Sequence, residues 1–159
     1  MTALSRHHLA AALALGAAAL VAAPAVAQQG TLTLNATVAN ACSVNSPTMN
    51  FGTYYSGQSN DLPGQVDLEY TGCPAGTTIK LTGGENGNLN QRLLFSGQNS
   101  QSLTYSLFSD SSRQIAWSND GVVVPEEGDG ILTVYAHIDR GQTKTAGNYA
   151  DSVTIEMVF

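Results

Sequence analysis

The chain has 159 residues with 12 acidic and 6 basic side chains, which gives a formal net charge of −6. This length fits a single domain with one core, and the acidic balance argues against binding to nucleic acid or to anionic membranes. Only 11% of the residues are charged, whereas Thr, Ser, Asn, Gln and Gly are abundant, as is typical of exported β proteins.

Residues 1–27 have the pattern of a signal peptide. A short polar start carrying Arg6 precedes the Ala- and Leu-rich run from Leu9 to Val26, which ends in the small-x-small pattern of a cleavage site. The alternative is a membrane anchor, but the run is only weakly hydrophobic. Cleavage predicts a mature chain that begins near Gln28, with a charge of 5 − 12 = −7 because Arg6 is removed.

The first segment of the mature chain alternates cleanly between polar and apolar residues. Within residues 31–38, Leu32, Leu34, Ala36 and Val38 share one face and threonines and Asn35 share the other. This period of two predicts an extended strand. The pattern alone leaves open whether the strand belongs to the chain's own sheet or adds to another.

Five further segments have strand character: residues 65–70, 78–82, 103–108, 131–138 and 152–159. They are short, they are separated by Gly, Asn, Ser and Pro, and no segment has convincing helical periodicity. The longest apolar run, residues 131–138, is expected to be a central strand. We therefore predict an all-β sandwich.

Two cysteines, Cys42 and Cys73, lie in the exported part of the chain. An even number of cysteines in an oxidising compartment favours a disulfide. Two free thiols and half of a metal site are the alternatives, but His137 is the only histidine after residue 27, which disfavours a metal.

The sequence predicts no catalytic residue, no cofactor and no metal site. It has no nucleophile elbow, no phosphate-binding glycine loop and no His-x-x-x-His pair. Trp117 is expected to be a core or turn anchor, and Tyr149 to tie a loop to a strand through its hydroxyl group. The acidic loop containing Glu126, Glu127 and Asp129 is expected to be solvated, with a weak calcium site as the alternative.

Several motifs occur in an order that resembles the spore coat protein U domain, the family of pilins in archaic (Csu-type) chaperone–usher pili. The C-terminal stretch is the most specific of them, with Gly147-x-Tyr149-x-Asp151 followed by an alternating strand. The matching segments are Thr31 to Val38 leading to Cys42, Asn50 to Tyr54, Gly72-Cys73, Leu103 to Leu107 with Asp110, Leu132 to Tyr135, and Gly147 to Phe159.

The resemblance implies an immunoglobulin-like β-sandwich that lacks its last strand and is completed by donor-strand complementation. It divides the chain into a signal peptide (1–27), a donor-strand extension (28–40) and a pilin domain (41–159). The donor residues would be Leu32, Leu34, Ala36 and Val38. One edge of the acceptor groove would be Val153, Ile155, Met157 and Phe159, with the opposite edge around residues 42–51.

The same resemblance implies a structural role and its partners. The chain would polymerise with identical subunits into a cell-surface fibre for adhesion and biofilm formation, after export through the periplasm with a chaperone and an outer-membrane usher. The alternatives are a secreted coat or matrix protein, a tip adhesin and a minor adaptor subunit. An adhesin usually has an additional N-terminal domain, for which the mature chain has no room.

Overall fold

The fold was examined in a computed structural model that describes residues 29–38 and 42–159. The predicted signal peptide, residues 1–27, lies outside the described residues. Every regular element in the described part of the chain is a β-strand, as predicted. The strands are β1 (Ser43–Val44), β2 (Leu62–Cys73), β3 (Thr78–Leu81), β4 (Arg92–Ser96), β5 (Gln101–Phe108), β6 (Val122–Val123), β7 (Gly128–Ile138) and β8 (Ile155–Val158).

Five strands form the larger sheet, in the order β1-β2-β7-β5-β4, and all neighbouring strands are antiparallel. β7 lies between β2 and β5, which confirms that the long apolar run is a central strand. The β2–β7 ladder extends from the pair Leu62–Ile138 to the pair Cys73–Gly128. It is interrupted after Tyr70, where the Gly72 amide donates instead to Asp129 Oδ1 at 2.8 Å.

The smaller sheet has three strands in the order β6-β3-β8. β8 is an edge strand, because β3 is its only partner among the described strands; their ladder extends from Thr78–Val158 to Leu81–Ile155. The other edge of β8 therefore presents unpaired backbone groups, which in a soluble sheet invite the addition of a further strand.

The core lies between the inner faces of the two sheets. β2 contributes Leu68 and Tyr70, and β3 contributes Ile79 and Leu81, at the positions that the period of two predicts. Trp117 is only 2% exposed and belongs to the same cluster, so it is a core anchor as expected. The remaining buried members are Cys73, Leu94, Leu103, Tyr105, Leu107, Val124, Val134, Ala136 and Ile138.

One predicted segment and three observed strands differ from the sequence prediction, since the two-residue strands β1 and β6 were not predicted. Residues 31–38 contain no strand and their side chains are exposed, because a strand is defined by the backbone to which it pairs and alternation alone supplies no partner. β4 (Arg92–Ser96) was not predicted. Its apolar residues Leu93, Leu94 and Phe95 are consecutive, so they do not alternate, and its inner face begins with an arginine.

Candidate functional site

An open groove runs between the two sheets. One part is a cavity of about 360 Å³ whose floor consists of inner-face residues of both sheets. A second cavity of about 750 Å³ continues it and shares Thr48, Met49, Phe51, Leu94 and Asp151 with the first. The floor of the first cavity is lined by Val66, Leu68, Leu81, Leu94, Tyr105, Leu107 and Val134. The slot therefore lies directly over core side chains, of which all but Val66 are at most 9% exposed.

One side of the groove, which we call the sheet wall, is formed by residues 150–158. Beyond the β3–β8 ladder, it continues through hydrogen bonds from Thr82 N to Thr154 O (3.0 Å) and from Glu85 N to Ser152 O (3.0 Å). Ala150 and Phe95 exchange two further backbone bonds of 2.8 and 3.0 Å. The sheet wall is therefore tied by its backbone to the rest of the sandwich along its whole length.

The predicted groove edge coincides with the sheet wall for part of its length. Val153 and Ile155 are half-buried and line the first cavity. Met157 is half-buried at the end of the wall, where its Sδ lies 3.5 Å from Cys42 Sγ. Phe159 is 65% exposed and lies beyond the last ladder pair, so in this structure it does not line the groove.

The opposite side, which we call the coil wall, is formed by residues 46–53. Among the described residues, no backbone hydrogen bond joins these residues to any other backbone group. Side chains hold the wall instead. The Phe51 ring packs edge-on against Tyr105 with ring centroids 6.2 Å apart. Phe51 and Met49 also cover Gly64, where an added Cβ would lie 2.8 Å from the ring.

Contacts beyond each end of the coil wall tie it to the rest of the fold. At one end, Tyr54 Oη donates to the Asp139 carbonyl (3.0 Å) and accepts from Gln142 N (2.9 Å), and Gln142 O accepts from Gly57 N (2.9 Å). At the other end, the disulfide between Cys42 and Cys73 lies against Met157. The predicted disulfide is confirmed, with 31 residues separating its cysteines.

Asp151 is the polar centre of the groove. Its carboxylate accepts a hydrogen bond from Tyr105 Oη at 2.7 Å and another from Asn86 Nδ2 at 2.9 Å. Burial raises the pKa of Tyr105, and the hydrogen bond to Asp151 raises it further. The neighbouring Arg92 side chain is 5% exposed and donates to the carbonyl of Thr82; burial lowers its pKa.

The geometry explains the three spaced residues of the C-terminal motif. At Gly147, a Cβ would collide with the Asn99 side-chain amide. Tyr149 Oη donates to the Thr145 carbonyl at 2.8 Å, a bond within the loop, and lies 3.4 Å from Oε1 of Gln101 at the start of β5. Asp151 then fixes the start of the sheet wall on Tyr105. The motif therefore shapes one side of the groove.

The resemblance implied an opposite edge around residues 42–51, which overlaps the coil wall, but the sequence analysis assigned no role to the side chains that hold this wall, namely Met49, Phe51, Tyr54 and Gln142. The spacing of Met49 and Phe51, two apart among polar residues, was the available signal, but Pro47 and Gly52 in the same stretch are typical of a loop. The predicted donor residues Leu32, Leu34, Ala36 and Val38 lie in the described segment 29–38, which contains no strand.

The comparison with known families identifies the chain. A model described as the spore coat protein U domain matches residues 28–156. The chain belongs to this family. The chain is also 35% identical to Protein U of Myxococcus xanthus over 167 aligned positions, which cover 90% of this chain and 93% of that protein.

Three solved structures are similar to this spore coat protein U domain. A chain of the CsuC–CsuE chaperone–tip adhesion subunit pre-assembly complex, from archaic chaperone–usher Csu pili of Acinetobacter baumannii, has a TM-score of 0.55 at 23% identity. The match covers 74% of this chain and 39% of that one. A chain of a chaperone–usher pilus studied for rod uncoiling has a TM-score of 0.52 at 18% identity, covering 86% and 99%.

The P pilus rod subunit PapA has a TM-score of 0.54 at 16% identity, covering 82% of this chain and 99% of that one. At these identities the likeness is one of fold. The domain is thus an all-β, immunoglobulin-like sandwich, which confirms the predicted fold class.

The described residues contain no group of three or more His, Cys, Asp or Glu side chains arranged to hold a metal ion. In the same residues, no helix has the length and apolar character needed to cross a membrane. Asp129 of the acidic loop is used within the fold, because it accepts the Gly72 amide.

Proposed function

We propose that this chain is a structural, non-catalytic pilus subunit whose groove receives an extended segment of a neighbouring copy. The observation that carries the proposal is a slot lined by core side chains, between two walls that no backbone hydrogen bond joins among the described residues. An extended segment lying there pairs with the free edge of the sheet wall and places alternate side chains onto the apolar floor.

The segment that fits this slot is the chain's own N-terminal extension, supplied by the next subunit. Leu32, Leu34, Ala36 and Val38 are the donor residues, since their period of two matches an inserted strand. Burying each Leu or Val contributes about 1.5–3 kcal/mol, and Ala contributes less. Because the donor completes the acceptor's core, binding also stabilises the acceptor.

The partners and location follow from this role. An unfilled slot with an open sheet edge is an aggregation hazard. A periplasmic chaperone therefore occupies the slot before assembly. At an outer-membrane usher, the donor segment of the next subunit replaces the chaperone. The product is a cell-surface fibre that supports adhesion and biofilm formation. The division into residues 1–27, 28–40 and 41–159 belongs to the same proposal.

Deleting residues 28–38 tests the proposal in the presence of a periplasmic chaperone of the chaperone–usher class. The shortened subunit retains both walls and the groove floor, so it should still bind the chaperone, but it should form no polymers. Polymers of normal length, measured by electron microscopy and native electrophoresis, would rule out this donor segment.

A fused variant provides a second test. We call it the self-complemented chain: residues 31–38 are appended after Phe159 through a Gly-rich turn, so that the copy can fold back along β8. It should unfold cooperatively and at higher urea concentration than the mature chain, and it should not polymerise. Leu34→Asp in the appended copy should abolish the gain, whereas Asn35→Asp, on the opposite face, should leave most of it.

A secreted coat or matrix protein is the second candidate, supported by the description of the family and by the likeness to Protein U. Immunogold electron microscopy of intact cells separates the two. Label along thin fibres supports the pilus subunit, and a continuous layer without fibres supports the coat.

A further inference from the structure

We infer that consecutive subunits meet end to end through opposite charges. The two ends are defined by the β2–β7 ladder. We call the end at Cys73 and Gly128 the disulfide end, and the end at Leu62 and Ile138 the clamp end, since the hydrogen bond between Gln142 N and Tyr54 Oη lies there. This inference rests on the proposed function, and the occupant of the contact is a second copy of this chain.

Two basic side chains, one exposed and one half-buried, lie at the clamp end, together with the carboxylates of Asp61 and Asp139. Five basic residues follow residue 27, and three of them have a role in the fold: Arg92 is buried, Arg113 Nε donates to the Ala136 carbonyl at 3.0 Å, and Lys80 lies opposite Glu156 in the ladder. The other two are Arg140 and Lys144. Among the described residues, neither side chain forms an ion pair with a carboxylate. The two carboxylates at this end have other partners: Asp61 Oδ1 accepts the Arg140 amide at 2.9 Å, and Asp139 Oδ1 lies 3.2 Å from His137 Nε2. Lys144 lines the groove at this end.

The disulfide end is acidic. Glu126, Glu127 and Asp129 are exposed just before and within the first residues of β7, and Glu69 is exposed on the neighbouring strand. This loop lies close to the cysteines, because Gly128 pairs with Cys73 and Asp129 Oδ1 accepts from Gly72 N at 2.8 Å. Among the described residues, no basic side chain forms an ion pair with these four carboxylates.

Chain connectivity brings the two ends together. Residues 39–41 are all that separate the last donor residue, Val38, from Cys42 at the disulfide end. A fully extended chain spans at most about 14 Å over these four steps. Once Val38 is seated in a neighbour's groove, the donor subunit's disulfide end must lie close to the mouth through which the extension leaves.

The direction of insertion decides which mouth that is. β8 runs from the clamp end, near Ala150, towards the disulfide end. Antiparallel pairing with its free edge is the more stable arrangement, and it places Val38 at the clamp end of the acceptor, beside Lys144. Parallel insertion would place two acidic disulfide ends against each other, which like-charge repulsion disfavours.

Zero-length carbodiimide cross-linking of assembled polymers tests this contact, since it joins only amines and carboxylates that touch. Lys144 should link to Glu126 or Glu127. Within one chain these residues lie at opposite ends of β7, about 33 Å apart for an 11-residue strand, so such a link must connect two subunits. The yield of this link should fall severalfold in 0.5 M salt. Lys80 is the control: any link that it forms should not change in the charge variants described next.

Matched variants identify the cause. Glu126→Gln with Glu127→Gln should remove the link while polymers still form. Arg140→Glu with Lys144→Glu should slow assembly at low salt, and adding Glu126→Lys with Glu127→Lys should restore it. Polymers that form at the normal rate in every variant and give no Lys144 link would overturn the contact while leaving the proposed function intact. Failure of the unmodified chain to polymerise would instead overturn the proposed function, and this inference with it.

Discussion

The two walls of the groove are held in different ways. The sheet wall is anchored by backbone hydrogen bonds to β3, Glu85 and Phe95 and by the carboxylate of Asp151. The coil wall, residues 46–53, has no such ladder among the described residues and is held by Phe51, by Met49 and by its two ends. A wall without a ladder can shift while a strand enters, and a wall within a sheet supplies a fixed template.

This difference assigns a role to each wall in the proposed assembly. The sheet wall determines where the donor backbone pairs, because its unpaired groups are held in a regular register. The coil wall closes over the donor's side chains. The predictions that follow loosen one wall at a time, from the largest expected effect to the smallest. Stability is measured by urea unfolding of the self-complemented chain.

Breaking the disulfide should give the largest decrease in the free energy of unfolding, because it releases the start of the coil wall from Cys73 and from Met157. For a loop of this length, Cys42→Ser with Cys73→Ser should lower the free energy of unfolding by about 3–4 kcal/mol. Reduction of the unmodified protein with dithiothreitol should give a similar loss. Equal midpoints for the oxidised and reduced protein would mean that the crosslink does not restrain this wall.

Asp151→Ala should give the next largest loss, because it removes the anchor of the sheet wall. The change leaves the Tyr105 hydroxyl and the Asn86 amide without their acceptor, at an expected cost of about 2–3 kcal/mol. Asp67→Ala is the matched control, since Asp67 accepts only the exposed Thr133 hydroxyl. The free energy of unfolding of this control should fall by less than about 1 kcal/mol. Equal decreases for the two variants would contradict this role of Asp151.

Gly64→Ala should displace the coil wall without touching the sheet wall. The added Cβ would lie 2.8 Å from the Phe51 ring and 3.2 Å from Met49 Sδ, and such overpacking costs about 1–3 kcal/mol. Gly97→Ala is the control, because no atom lies within 4 Å of its Cβ position. With wild-type subunits as donors, the Gly64 variant should also polymerise more slowly in a seeded assembly assay.

Tyr105→Phe should have the smallest effect near neutral pH, about 1 kcal/mol for one hydrogen bond. Its pH profile is more informative. The pKa of Tyr105 is raised in the folded state, so its contribution is complete below the ordinary tyrosine pKa, near 10, and is lost as the pH rises above that value. Above pH 10 the free energy of unfolding should therefore fall less steeply with pH in the variant than in the unmodified chain. The difference between the two slopes should be about 1.4 kcal/mol per pH unit. Parallel profiles would show that Tyr105 ionises freely.

The sequence by itself determined those parts that depend on local pattern. The period of two located β2 and β5, because neighbouring side chains in a strand point to opposite faces, and the long apolar run located β7. The cysteine count and exported context indicated the disulfide, and the spaced glycine, tyrosine and aspartate before β8 indicated the family.

Only the tertiary structure decided which backbone lacks a partner. Residues 46–53 and 150–158 are about a hundred positions apart in the chain, and no local pattern states that they face each other across a slot with unpaired edges. Pairing between distant segments depends on sheet order, and sheet order placed β8 at an edge next to β3. For the same reason, the alternation at residues 31–38 predicts an extended segment but not the sheet that it joins.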